Sequence, residues 1–222
     1  MFDMGFLDET IAEKILDDRL DHRLVMAKYH LDKIKGNYDL NGGWRHFYFT
    51  THLESFIMFS NNAIELLTRE IYNSLSHVTD EQKISIYRTK KNLILTKESK
   101  QINTIIPKYF SYPKERIGHL DYSNSSLWCL KEIRNRIFHG KFLIRTVSSS
   151  PDGSGGIGFE IPYPLKKEKG KVISQDRVKI HDSDEYFDNL YQNLVQFASE
   201  IRKILPKPYH SEEHKNELNF EL

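Results

Sequence analysis

The feature that most constrains the fold is a run of 33 residues, 44–76, with neither glycine nor proline. Its apolar residues recur at three- and four-residue spacing, as on one face of an α-helix. They are Phe49, Leu53, Phe56, Ile57, Ala63, Ile64, Leu67 and Ile71, with Ser60 in the same line. A helix of this length extends roughly 40–50 Å at 1.5 Å per residue. Because such a stripe must be covered by other helices, the pattern predicts a long helical bundle.

Two further segments have the same periodicity. The first has Leu16, Leu20, Leu24, Ala27, Leu31 and Ile34, a cap at Asp8 and a stop at Gly36. Asn41-Gly42-Gly43 then marks a turn, which makes the first two helices antiparallel neighbours. The last helix follows the capping box Asp182-x-x-Glu185 and ends before Pro206, with the apolar residues Phe187, Leu190, Tyr191, Leu194, Phe197, Ala198, Ile201, Ile204 and Leu205.

Shorter helices are predicted between these long ones. We expect one near Asp80–Lys91 and another near Thr96–Tyr109, the second limited by Pro107 and Pro113. A third follows the N-cap candidates at Ser123–Ser126. Its buried line is Leu127, Leu130, Ile133 and Ile137, and Gly140 is placed to end it just after His139.

The period changes after Gly140. Phe142–Val147, Ile157–Tyr163 and Val172–Ile180 have the pattern of strands, separated by a turn-rich loop and a charged turn. About 40 residues rarely bury a core alone, so this part is expected to be an insertion rather than a separate domain. The predicted fold is mainly α: one helical domain over 1–205, with a small β-hairpin or sheet inserted at 142–181 and a polar tail at 206–222.

Composition places the chain among ordinary globular proteins. Hydrophobic residues make up 39% and aromatic residues 12%, which excludes wholesale disorder. The single cysteine, Cys129, excludes an intrachain disulfide. No apolar run approaches the roughly 18 residues of a transmembrane helix, and the N-terminus does not resemble a signal peptide. We therefore expect a cytoplasmic, soluble protein with no membrane partner.

Positive charge is concentrated in three stretches. Lys and Arg outnumber Asp and Glu by eight to two in 88–116, five to one in 131–145 and six to two in 165–179. If the three share a face, RNA is an expected partner. On charge alone, solvated loops explain the stretches equally well.

The ten histidines do not predict a metal site. His22 and His30 are eight residues apart and His46 and His52 are six apart, so neither pair has the i, i+4 spacing of two ligands on one helix. His210 and His214 have that spacing, but they follow two prolines in the tail. We expect no metal and no cofactor, with structural or incidental roles for these histidines.

The segment 130–140 carries the residues best suited to chemistry. It places Arg134, Asn135, Arg136 and His139 on the polar side of a helix that then ends. Cleavage of RNA requires a cation that neutralises the scissile phosphate and a group that moves the proton of a hydroxyl oxygen. Arginine and histidine supply these functions. The alternative is a solvated helix face with a histidine near its C-terminus.

Arg134-Asn135-x-x-x-His139, followed by Gly140 at the end of a helix, resembles the Arg-x(4–6)-His motif of the HEPN superfamily (higher eukaryotes and prokaryotes nucleotide-binding domains). A polar residue directly after the arginine is also typical of that family. The order of helices is similar over about residues 8–140 and 183–205, whereas 142–181 has no counterpart in the family core.

The resemblance implies a metal-independent endoribonuclease that cleaves single-stranded RNA at a homodimer interface. By the motif, Arg134 binds phosphate, His139 is the acid or base, and Asn135 orients them; we add Arg136 and Lys141 as flanking RNA contacts. Many relatives are toxins or phage-defence effectors, often with a nucleotidyltransferase antitoxin. The first alternative is a non-catalytic HEPN-like module that binds RNA, a nucleotide or a partner protein, and the second is a helical scaffold.

Overall fold

A computed structural model of the chain describes residues 19–35, 43–78, 80, 83–110, 127–131, 133–135, 144–148, 156–162, 167–168, 171–172, 177–180 and 183–205. Its helices are α1 (Arg19–Lys35), α2 (Gly43–Leu75), a 3₁₀ turn (Ile86–Arg88), α3 (Thr89–Asn92), α4 (Lys97–Phe110), α5 (residues 127–131 and 133–135) and α6 (Ser183–Arg202). The described part of the chain is mainly helical, which confirms the predicted fold class at that level.

One arginine near the end of α6 shows how the long helices run. The Arg202 guanidinium donates to Asp21, near the start of α1, and to Glu70, near the end of α2, both at 3.1 Å. The start of α1 therefore lies beside the end of α2, as an antiparallel pair requires. At the other end of α6, the Phe187 ring contacts Phe56 of α2 edge to face, with centroids 5.9 Å apart. Helix α6 thus runs parallel to α2 and antiparallel to α1.

The core lies between these three helices and extends to α4 and α5. The stripe predicted for α2 is buried, including Ser60. From α1 it receives Leu20, Ala27, Leu31 and Ile34, and from α6 Phe187, Leu190, Leu194, Phe197, Ala198 and Ile201. Burial of this size, at about 25 cal/mol per Å² of apolar surface, is the main stabilising contribution. The prediction for α2 is confirmed within one residue at each end, and α6 ends at Arg202, three residues before the predicted end at 205.

One prediction for residues 80–110 is corrected and one is confirmed. The helix expected at Asp80–Lys91 is replaced by a 3₁₀ turn and the four-residue α3, because Ser85 is extended and its hydroxyl accepts from the Tyr87 N–H. Helix α4 matches the helix expected near Thr96–Tyr109 within one residue at each end and includes Pro107. Tyr109 and Phe110 both pack on Phe197 of α6 with centroids 5.2 Å apart, and this packing outweighs the backbone bond that proline lacks.

Five strands lie between α5 and α6 in sequence: β1 (Ile144–Ser148), β2 (Gly156–Pro162), β3 (Lys167–Glu168), β4 (Lys171–Val172) and β5 (Arg177–Ile180). The antiparallel order is β1-β2-β5, with Arg145 opposite Phe159 and Phe159 opposite Ile180; β3 and β4 form a separate two-stranded ladder. The charged turn predicted at Lys166–Lys171 therefore contains β3 and the first residue of β4. The single strand predicted at Val172–Ile180 is corrected to two strands, β4 and β5, which belong to different ladders. The predicted tail at 206–222 and the helix end at 136–140 lie outside the described residues.

Candidate functional site

Helix α5 carries the described part of the Arg–His motif. Leu127, Leu130 and Ile133 are buried in the core, as the sequence predicts, and Cys129 is buried as well. At 100° per residue, this buried line leaves Arg134 and Asn135 on the side of the helix that reaches solvent, and both are partly exposed. The local reason is ordinary amphipathicity: the apolar face anchors the helix and the polar face stays accessible.

The Arg134 side chain lies between two polar neighbours. Its Nη1 donates to Asn135 Oδ1 at 3.3 Å, and its Nη2 is 3.9 Å from Glu65 Oε1 on α2. The Arg134 side chain is 27% exposed and that of Glu65 is 45% exposed. Water screens a pair with this exposure, so the contact orients the guanidinium more than it stabilises the fold. The structure therefore brings Arg134 and Asn135 together, with the guanidinium within reach of a solvent-borne anion.

A buried amide on α2 holds α5 in place. Asn61 is only 1% exposed, and its Nδ2 donates to the carbonyl oxygens of Ile57, at 2.9 Å, and Leu130, at 3.3 Å. A buried amide needs such partners, because an unsatisfied one costs on the order of 1–3 kcal/mol. Sequence reasoning missed this residue. Its signal is a polar side chain within the buried face of an otherwise apolar helix.

The two contacts between α2 and α5 share a register. Asn61 contacts Leu130, and four residues later on both helices Glu65 contacts Arg134. Because both contacts advance by one turn in the same direction, the two helices run parallel where they meet. Arg134 thus projects beside α2 one turn beyond a buried anchor, which limits how far its Cα can move.

The other predicted site residues are Arg136, His139 and Lys141, and all three lie outside the described residues. The pairing of Arg134 with His139 stays a prediction, as do the flanking RNA contacts of Arg136 and Lys141.

Residues 83–110, which include the described part of the first basic stretch (88–110), form a surface rich in lysine and arginine. Lys83 pairs with Asp80, and Lys108 pairs with Glu200. Five other cations are exposed and form no ion pair within the described residues: Arg88, Lys90, Lys91, Lys97 and Lys100. Such cations are available to phosphates.

His30 on α1 and His52 on α2 are in contact, although they are 22 residues apart in the sequence. His30 Nδ1 and His52 Nδ1 are 2.8 Å apart, so one imidazole donates to the other. Phe59 stacks on His30, and Tyr48 contacts His52 edge to face. Burial, followed by the charges of His30 and Lys33, lowers the pKa of His52 to about 4. Burial also lowers the pKa of His30, so both rings are neutral at pH 7.

The part of the chain that the structure describes contains neither a cluster of metal-binding side chains nor a membrane-spanning helix. Among the residues that the structure describes, no three histidine, cysteine, aspartate or glutamate side chains gather closely enough to share a metal ion. Within the same residues, no helix combines the length and the apolar character needed to cross a membrane.

Comparison with protein-family models, with curated proteins and with solved structures found no match. Any function proposed for this chain therefore rests on its own residues.

Proposed function

We propose that this protein is a HEPN-type, metal-independent endoribonuclease that cleaves single-stranded RNA. The observation that carries the proposal is the placement of Arg134 and Asn135: adjacent, in hydrogen-bond contact and partly exposed on a helix whose other face is buried. The sequence puts His139 four residues after Asn135. The biological role that goes with this activity is that of a toxin or a phage-defence effector, held in check by an antitoxin or nucleotidyltransferase partner.

In this proposal, each motif residue has a separate task. The Arg134 guanidinium binds the scissile phosphate and neutralises the charge that grows in the transition state. The His139 imidazole moves a proton, either from the attacking 2′-hydroxyl or to the leaving 5′-oxygen. Asn135 orients the guanidinium through its side-chain oxygen. Arg136 and Lys141 contact flanking phosphates, and no metal takes part.

The fold supports the proposal through its order of helices. Two long antiparallel helices come first and a long amphipathic helix closes the bundle, with the motif helix between them. We assign the helical parts to one HEPN-like domain over 1–205, and the strands between 142 and 181 to an embellishment of that domain. These similarities concern the order and direction of the helices.

We further propose that the active form is a homodimer. Arg134 and His139 are five residues apart, which separates them by about 140° around an ideal helix. A composite site, with Arg134 from one subunit and His139 from its partner, removes this difficulty. Sedimentation at micromolar concentration should show a dimer; a monomer with full ribonuclease activity would refute the composite site.

A second candidate function is a HEPN-like module that binds RNA, a nucleotide or a partner protein without cutting. The contact between Arg134 and Glu65 favours this alternative, because a guanidinium with a carboxylate 3.9 Å away is less able to neutralise the charge that grows in the transition state of cleavage. Binding of RNA without cleavage would support this candidate over the enzyme.

The deciding experiment incubates the purified protein with a labelled single-stranded RNA in EDTA. The parent should cut, and His139→Ala should cut on the order of 10²-fold more slowly while binding RNA nearly normally. His77→Ala, at an exposed histidine of the connection after α2, is the matched control and should cut like the parent. Equal cleavage by the parent and His139→Ala would refute the enzyme.

The basic stretch 88–116 should contribute to RNA affinity by neutralising phosphates. For single-stranded nucleic acid, the logarithm of the binding constant falls with that of salt concentration by about 0.7 per phosphate contacted. Lys90→Gln with Lys91→Gln should therefore reduce the slope by about 1.4 if both lysines contact phosphate. A flat salt dependence of the parent would remove this surface from the RNA interface.

A further inference from the structure

Two consecutive aliphatic residues project from the connection between α3 and α4. Leu95 is 82% exposed and Ile94 is 38% exposed. Single exposed apolar residues are common on protein surfaces and need no explanation. Here two neighbours occupy one turn, and the half-exposed ring of Tyr87 belongs to the same short stretch of chain.

The turn that presents these side chains is held firmly. The Ile94 N–H donates to the Leu75 carbonyl at the end of α2, and Leu93 forms an isolated bridge with Ser76. On the other side, Thr96 and Ser99 cap the start of α4 with reciprocal bonds: each side-chain oxygen accepts from the backbone N–H of the other residue. Anchored at both ends, the turn keeps the Leu95 side chain in solvent.

Cations flank this aliphatic tip along the chain. Lys91 and Lys97 lie four residues before and two residues after Leu95, so their Cα atoms are at most about 14 Å and 7 Å away. Arg88, Lys90 and Lys100 extend the positive surface on both sides, and all five cations are exposed. Between 88 and 108 the only acidic residue is Glu98.

We propose that the turn at 93–96, with the cations around it, binds the surface of an anionic lipid bilayer. The lysines and Arg88 are attracted to the negative headgroups, and Leu95 and Ile94 enter the boundary between headgroups and acyl chains. This contact requires no membrane-spanning helix, and it revises the expectation from the sequence that the protein has no membrane partner. It goes beyond the proposed ribonuclease activity and does not depend on Arg134 or His139. It shares Lys90 and Lys91 with the proposed RNA interface, so RNA and lipid compete for these lysines, and Ile94 and Leu95 separate the two kinds of binding.

The exposed Ile94 and Leu95 side chains favour lipid over RNA and over a protein partner. RNA uses the cations and stacks on aromatic rings, but it has no use for two exposed aliphatic side chains. A protein partner binds such side chains in a pocket shaped to receive them, whereas a bilayer accepts a projecting tip of any shape. A bilayer uses both the positive charge and the aliphatic pair, and it requires no matching pocket.

The test is co-sedimentation of the full chain with vesicles. Binding to vesicles of phosphatidylcholine with phosphatidylglycerol should be strong at low salt, and binding to pure phosphatidylcholine should be weak. Leu95→Ser should lower the partition constant about tenfold, since one buried leucine side chain accounts for that order of change. Lys90→Gln with Lys91→Gln should lower it at least as much and remove part of its salt dependence.

Phe47→Ser is the matched control, because Phe47 is 64% exposed on α2, outside this stretch, and the variant should bind vesicles like the parent. RNA cleavage by Leu95→Ser should equal that of the parent, which separates this proposal from the proposed function. Any one of three results would overturn the lipid proposal. The first is equal binding of the parent to neutral and anionic vesicles. The others are a Leu95→Ser variant that loses RNA binding but keeps vesicle binding, and a Leu95→Ser variant in which only the oligomeric state changes.

Discussion

The polar contacts that helix α2 makes with α1 and with α5 have different surroundings. Toward α1, His52 bonds to His30 among aromatic rings, with both imidazoles neutral. Toward α5, the buried amide of Asn61 anchors Leu130, and one turn later Glu65 meets Arg134 near solvent. His52 and Glu65 are 13 residues apart, or about 20 Å along the helix.

The difference shows which polar groups are available for chemistry. Asn61 is buried and its Nδ2 donates to two carbonyl oxygens, so its role is to fix the position of α5. Arg134 is held by neighbours on a partly exposed face, where an anionic ligand can reach it. The histidine pair lies between these extremes: half-buried, uncharged at neutral pH, and sensitive to acid. Four predictions test this contrast.

The largest effect is expected from Arg134→Ala. If Arg134 binds the scissile phosphate, RNA cleavage should fall on the order of 10²-fold or more and RNA binding should weaken too. The free energy of unfolding should change by no more than about 0.5 kcal/mol, since the side chain is partly exposed. Arg69→Ala, at an exposed arginine of α2, is the control. Unchanged cleavage in a stably folded Arg134→Ala protein would show that the motif is a coincidence.

The next largest effect is expected from Asn61→Ala. Removing the amide leaves the Leu130 carbonyl without this donor and opens a small cavity, so the free energy of unfolding should fall by about 1–3 kcal/mol. Urea denaturation measures the change. Asn62→Ala, at the neighbouring and less buried asparagine, should change stability far less. If both variants are equally stable, the contact between α2 and α5 is not a structural anchor.

A smaller effect is expected on acidification. The unfolded chain takes up a proton at His52 near pH 6.5, whereas the folded protein does so only near pH 4. The unfolded state therefore binds more protons between these values, and stability falls as pH decreases from about 6.5 to about 4. Discounted for partial exposure, His52 should contribute about 1 kcal/mol, or roughly 2–4 °C in melting temperature.

His52→Phe should reduce the dependence of melting temperature on pH over this range but not abolish it, because burial also lowers the pKa values of His22 and His30. His77→Phe should keep the slope of the parent. A His52→Phe slope identical to that of the parent would assign the acid sensitivity to other groups.

The smallest effect is expected from Glu65→Gln. Because the pair with Arg134 is long and exposed, stability should change by less than about 0.5 kcal/mol. If Glu65 competes with RNA for the guanidinium, the variant should bind RNA slightly more tightly, which a titration at low salt can measure. Glu54→Gln, on the same helix, is the control. Weaker RNA binding by Glu65→Gln alone would instead make Glu65 part of the positioning of Arg134.

Regular apolar spacing predicted the long helices well. The stripes of α2 and α6 were assigned from periodicity, and the buried residues of both helices match them. The same reasoning placed Leu127, Leu130 and Ile133 in the core and so left Arg134 outside it. It failed at 80–92, where the helical pattern is short, and the Ser85 hydroxyl and Asn92 amide make local hydrogen bonds that replace a helix.

The sequence by itself determined that this chain forms a helical bundle and that Arg134 and Asn135 share the polar side of one helix. The reason is that helical periodicity is a property of neighbouring residues. Only the tertiary structure decided that Asn61 anchors Leu130, that Glu65 lies beside Arg134, and that His30 meets His52 across two helices. These contacts join residues that are 22 or more positions apart, and their geometry depends on how the helices pack rather than on any local pattern.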